Sequence, residues 1–160
     1  MALKLHHKRF YPYLFISGAI VLFGARLVTP GTITRELLLS LTGGLAAFIY
    51  FLYKQHLDET RLFKELFVEF NKRYDALNDR LNDICRAPET QDLEQHEIHT
   101  LFDYFNLCAE EFLFFKSGYI DEEVWQSWRR GMKFFAKNQR IGKLWEKELS
   151  SDSYYGFRLD

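Results

Sequence analysis

The chain is 160 residues long, 48% hydrophobic and 18% aromatic, with a formal net charge of −1. It is too apolar and aromatic to be disordered. Its two cysteines, Cys85 and Cys108, are not spaced as metal ligands and are expected to be reduced, buried thiols on helices, which fits a cytosolic setting.

The near-zero total hides an asymmetry. Residues 10–25 and 37–53 carry no charged side chain, whereas residues 54–160 hold 16 Lys and Arg against 21 Asp and Glu, a net of −5. The two apolar runs predict a transmembrane hairpin with spans over about residues 10–28 and 35–53. As helices the uncharged runs reach roughly 24–26 Å at about 1.5 Å per residue, slightly short of a hydrocarbon core of about 30 Å. Leu27 and Val28 extend the first run if Arg26 snorkels to the headgroups, and Tyr11, Tyr13, Tyr50 and Tyr53 stand at the inner ends, where amphipathic aromatics belong. A cleaved leader is the obvious rival, since Lys4, Lys8 and Arg9 form a basic tail; Phe23 before Ala25 and Arg26 spoils the small-residue cleavage pattern, and a second apolar run follows at once. A buried hairpin of a soluble protein is a third reading. In the hairpin reading Pro30 and Gly31 make the turn. The basic residues before the first run and after the second (Lys54, Arg61, Lys64) outweigh Arg26 and Arg35 beside Glu36 in the loop, so both termini are expected in the cytoplasm.

Small residues stud the apolar runs. Ser40 with Gly44 and Gly43 with Ala47 are small-xxx-small pairs, which let helix backbones approach closely. They serve either packing within one chain or an oligomeric or pore-lining contact. Arg26, Gly43 and Gly44 are therefore the membrane or gating candidates.

Beyond residue 53 the apolar spacing is helical. Phe63, Phe67, Phe70, Tyr74, Leu77, Leu81 and Ile84 form an a/d stripe that follows the second apolar run without an intervening Pro or Gly, so one unbroken helix is expected through both. It should stop at Ala87, because the residue before Pro88 disfavours helix. A second helix is expected from about Thr90 to Lys116, with Ile98, Leu101, Phe105, Cys108, Phe112 and Phe115 inward and Gly118 as its left-handed stop. Asp121 should cap a third helix that buries Trp125, Trp128, Met132 and Phe135, and Asn138 a fourth that buries Ile141, Leu144, Trp145 and Leu149. The tail can dock by Tyr154, Tyr155 and Phe157. The expected class is all-α: residues 1–53 form a tail and membrane hairpin, and residues 54–160 form a cytosolic helical bundle for ligand binding or oligomerisation, in a dimer or tetramer.

Charge is segregated along that bundle. Residues 89–123 hold ten acidic side chains against Lys116 alone. Residues 129–147 hold seven basic ones (Arg129, Arg130, Lys133, Lys137, Arg140, Lys143, Lys147) against Glu146. Arg129, Lys133 and Lys137 recur every four residues and form one basic ridge, whose like charges repel. The ridge has three candidate partners: the chain's own acidic helix, an anionic lipid leaflet, or a phosphate ligand such as a nucleotide or signalling oligonucleotide. In the last case Asn138 and Gln139 could read base edges. The acidic balance of residues 54–160 argues against long double-stranded nucleic acid. Enzyme signatures are missing: EQHEIH places His96 and His99 outside metalloprotease spacing, no nucleophile motif or glycine-rich phosphate loop occurs, and Glu110 with Glu111 read as surface carboxylates. No metal or cofactor is expected.

The layout of two short membrane helices, a Pro-Gly turn and a helical cytosolic domain resembles the two-helix membrane effectors that accompany type III CRISPR systems. The stretch FDYFNLCAEEFLFFKSGYIDEEVWQSWRRGMKFF is also similar to membrane-anchored families in which a helix–GxIDEExW–helix module recurs. The resemblance implies an antiviral effector in the bacterial inner membrane. Its cytosolic domain would bind a cyclic oligonucleotide, cyclic tetra-adenylate above all, rearrange as an oligomer, and disrupt or depolarise the membrane without a catalytic step. Arg129, Arg130, Lys133, Lys137, Asn138, Arg140 and Lys143 are the candidate contacts for that anionic ligand. The alternative is a constitutive membrane-anchored scaffold that binds protein partners and no small molecule.

Overall fold

The structure, a computed structural model, describes residues 10–29, 31, 34–150 and 153–159. Among these the chain is all-helical: α1 (Phe10–Val28), α2 (Arg35–Arg86), α3 (Gln95–Lys116), α4 (Glu122–Ala136) and α5 (Gln139–Leu149). The described residues fall into two compact units that divide between Arg61 and Leu62, inside α2. Lys4, Lys8, Arg9 and Pro30, used above for topology and the turn, lie outside the described residues.

The first unit holds α1 and the apolar start of α2, and both helices are long and apolar enough to cross a membrane. No residue of Tyr11–Val28 is buried. The helices meet at Tyr11, whose ring lies edge-on to Tyr53 at 5.8 Å, and at Gly18, so close to Leu45 that a Cβ there would stand 2.6 Å from its Cδ2. The Thr34 hydroxyl accepts the Leu37 N–H at 3.2 Å, satisfying one of the free donors at the start of α2. As the heptad spacing predicts, α2 then continues unbroken for 52 residues and stops just before Ala87 and Pro88.

In the second unit the later part of α2 packs with α3, α4 and α5 around one core. Leu66, Phe70, Leu77, Leu81 and Ile84 of α2 are buried, as are Leu101, Tyr104, Phe105, Leu107 and Cys108 of α3. The buried surface of α3 is broader than an a/d stripe, because neighbours cover it on more than one side. Tyr104, Leu107 and Glu111 are buried although they fall outside the stripe that the sequence marks. The helix also starts later than the sequence suggests. Glu97 reaches back so that its Oε2 accepts the Glu94 N–H at 2.8 Å, which sets the first turn at Gln95 rather than Thr90.

Gly118 follows α3 at φ 82°, in the left-handed conformation expected of it, and the Tyr119 N–H donates to the Phe114 carbonyl at 3.0 Å. α4 buries Trp125, Met132 and Phe135. Asn138 caps α5, its Oδ1 accepting from the Arg140 and Ile141 N–H groups at 3.0 and 3.3 Å. The tail docks: Phe157 is 2% and Tyr154 8% exposed, whereas Tyr155 points outward. The aromatic content is concentrated here. Phe105 lies 4.5 Å from the Trp145 ring, Phe115 stacks on Trp125 at 5.1 Å, and Phe157 meets Phe112, Trp125 and Trp145. Such pairs contribute about 0.5–1.5 kcal/mol each beyond area burial.

Candidate functional site

The basic ridge lies on α4 and the start of α5, and its members divide into three groups. Arg130, Lys133, Lys137 and Lys143 are exposed, and none of them is paired with a carboxylate among the described residues. Arg129 is half-buried, and its guanidinium donates to the Leu159 carbonyl at 3.5 Å, holding the C-terminal tail. The α4 helix therefore presents cations at 130, 133 and 137 on a face that includes the exposed Phe134 ring.

Arg140 does not stand with them. Its side chain is 2% exposed and every branch of the guanidinium is engaged. Nε donates to the Gln91 carbonyl at 2.9 Å, Nη1 to the Ile84 carbonyl at 2.9 Å, and Nη2 to the Asp92 carbonyl at 3.2 Å and to Glu97 Oε2 at 2.5 Å. The planar five-donor fork of arginine suits this convergence of carbonyls from the end of α2 and the loop after it. Arg140 is thus a structural clamp, not a free ligand contact. Removing one partner of such a buried pair typically costs about 3–5 kcal/mol. Asn138 is also partly committed, since its Oδ1 caps α5. Pairing of basic residues with the acidic helix α3 is seen for Arg140 with Glu97, and for Arg73 of α2 with Glu110 at 2.5 Å.

In the first unit, Arg26 is half-buried near the end of α1, close enough to Glu36 for their charges to interact. Gly43 and Gly44 are exposed, and a Cβ at either would meet nothing within 4 Å. Ser40 and Ala47 are exposed as well, so α1 does not cover the small-xxx-small pairs; the small residue at the α1–α2 contact is Gly18.

The site that sequence reasoning missed is a cavity of about 200 Å³ in the second unit, between α2, α3 and α4. Tyr74, Tyr104, Glu111, Trp128 and Met132 line it, with Gly131 at its side. Glu111, read from the sequence as a surface carboxylate, is only 5% exposed. Burial pushes its pKa up to about 8, against the opposing pull of the Arg73 guanidinium. The two tyrosine hydroxyls beside it are used elsewhere: Tyr74 donates to Asn78 at 3.1 Å, and Tyr104 shares a hydrogen bond with the Cys108 thiol. An acidic residue at a helical position next to a second acid gives no sequence signal of burial. Only the surround of aromatic rings marks it.

His96 and His99 are exposed, and no group of three or more His, Cys, Asp or Glu among the described residues is placed to hold a metal ion. A scan against protein-family models and searches of the curated proteins and of the solved structures each return no significant match.

Proposed function

We propose that this chain is a membrane-anchored sensor: α1 and the start of α2 form an antiparallel hairpin across a membrane, and the second unit binds an anionic ligand on the exposed cations of α4 and α5. The hairpin reading draws on the order of the two contacts, 11 with 53 and 18 with 45, which run in opposite chain directions. It also draws on length, since 19 residues of helix extend about 28 Å, close to the hydrocarbon thickness. The observation that carries the ligand reading is the set of unpaired cations at Arg130, Lys133, Lys137 and Lys143. Arg130, Lys133 and Lys137 share one face of α4 and repel one another, and a phosphate ligand would relieve that repulsion. The resemblance in layout to two-helix antiviral effectors makes a cyclic oligoadenylate the first ligand to try. In that reading the protein is not an enzyme, sits in a bacterial inner membrane with both termini in the cytoplasm, and acts as a homo-oligomer whose membrane helices rearrange on binding.

The test uses the full chain in lipid nanodiscs and fluorescent cyclic tetra-adenylate, with linear oligoadenylate as competitor. Saturable, cyclic-specific binding that is lost on combining Arg130→Glu with Lys133→Glu, with membrane insertion unchanged, supports the proposal. Undiminished binding by the double variant removes the ridge as the site. Absence of binding by the folded wild type favours the scaffold reading, in which the exposed Phe134 among these cations belongs to a protein-binding face.

A further inference from the structure

The cavity between α2, α3 and α4 holds a side chain that the anion reading does not use. Glu111 is 95% removed from solvent, yet its carboxyl has no hydrogen-bond partner among the described residues, and it lines an open space of about 200 Å³. The buried side-chain polar atom without a partner among the described residues is Trp145 Nε1; the Glu111 carboxyl instead faces the cavity, where an occupant can serve as its partner. The nearest cation, Arg73, is committed to Glu110. Above about pH 8, where Glu111 is ionised in the empty site, the local group of Glu111, Glu110 and Arg73 carries one uncompensated negative charge. An anion is therefore excluded, and a cation would neutralise it.

The remaining lining narrows the class of cation. Tyr74, Tyr104 and Trp128 bring three aromatic rings to the same space, and Met132 adds a polarisable thioether. The Trp128 ring is held in place by Phe67 stacked at 6.0 Å and by the edge-on Phe70 at 5.8 Å. Aromatic rings attract cations through their quadrupole, most strongly where water is excluded, and are the usual recognition surface for alkylated ammonium groups. A bare divalent metal ion would call for several charged oxygen ligands, and beside the single carboxylate this cavity offers only neutral oxygens, those of Asn71 and Ser127 among them. Its volume suits a ligand of modest size, since a comparable apolar cavity of about 150 Å³ accommodates benzene.

We propose that this cavity binds a small alkylammonium cation, its charge on the Glu111 carboxylate and its alkyl groups among Tyr74, Tyr104, Trp128 and Met132. The site uses none of the α4–α5 cations, so it stands or falls independently of the anion reading.

At pH 8.5, where the Glu111 carboxylate predominates and all four amines are cations, the full chain in nanodiscs is titrated with choline, tetramethylammonium, ethylammonium and putrescine, by calorimetry and by Trp fluorescence. The neutral choline isostere 3,3-dimethyl-1-butanol serves as the control. The proposal expects saturable binding of at least one amine below about 10 mM, at least about tenfold tighter than the isostere. Glu111→Gln, which keeps the shape and removes the charge, should weaken that binding at least about tenfold. Gly131→Leu should block it from a second side; a Cβ there meets nothing within 4 Å and leucine is the better helix former, and circular dichroism checks that the variant is folded. Binding of the isostere as tight as that of the amine, or full binding by Glu111→Gln, would overturn the proposal. So would the absence of saturable binding by all four amines, which would leave a cavity holding water.

Discussion

At the residue scale, two buried charges of opposite sign show how differently a fold can treat an ion. Arg140 has a carboxylate and three carbonyls converging on it, so every branch of its buried guanidinium is hydrogen-bonded. Glu111 has no such set, and burial raises its pKa from the ordinary 4.5 to about 8. The sign of the pH effect follows from that elevation. Between pH 4.5 and 8 the folded chain holds a proton that the unfolded chain releases, so stability is greatest below that window and falls as pH rises through it, by at most about 1.4 kcal/mol per pH unit. Glu111→Gln removes the titration. The variant is expected to be more stable than wild type at pH 8, with the difference shrinking toward pH 5. Thermal melts across that range check this, and a difference independent of pH would show that Glu111 ionises freely in the folded state. The same pair of residues marks a limit of sequence reading. Arg140 follows the pattern of the exposed cations around it, and Glu111 that of the exposed acids. Their burial is decided by segments up to 56 residues away in the chain.

At the element scale, helix ends are where local chemistry was most legible. Asn138, Gly118 and the proline after α2 each act through their own backbone or the next few residues, and the structure places all three boundaries as the sequence implies. The α3 start is the exception, because a glutamate pair made the cap where no Ser, Thr, Asp or Asn signalled one. Two glycines in adjoining helices give a prediction of opposite sign. At Gly142 a Cβ would stand 2.7 Å from the Ala136 carbonyl oxygen, whereas at Gly131 it would meet open space. Gly142→Ala should therefore destabilise by about 1–3 kcal/mol, since the backbone at the end of α4 has to move. Gly131→Ala should stabilise by about 0.5–1 kcal/mol through helix propensity and a less free unfolded chain. Chemical denaturation of the two variants side by side tests the close approach; equal effects would deny it.

At the scale of the whole molecule, the chain combines two units with opposite relations to solvent. The second unit encloses most of its aromatic residues, whereas the first leaves Val21, Phe23, Leu39, Phe48 and Phe51 more than half exposed. In water such a surface would drive aggregation, and in hydrocarbon it carries no penalty. The chain is accordingly expected to stay with the membrane pellet after alkaline carbonate extraction. Val21→Arg together with Leu39→Arg should release much of it, at about 2.5–3.5 kcal/mol per buried charge. Release of the wild type by carbonate would remove the membrane from the account.

The sequence by itself determined the helical class, the two apolar runs, the unbroken α2 and most of the core stripes. These depend on composition and on spacings of three and four residues, which any local segment carries within itself. The tertiary structure alone decided which charges are spent and which are free. It placed Arg140 under three carbonyls, left Arg130, Lys133, Lys137 and Lys143 in solvent, and enclosed Glu111 beside aromatic rings. Polarity is a property of one residue, but burial belongs to every helix that packs around it.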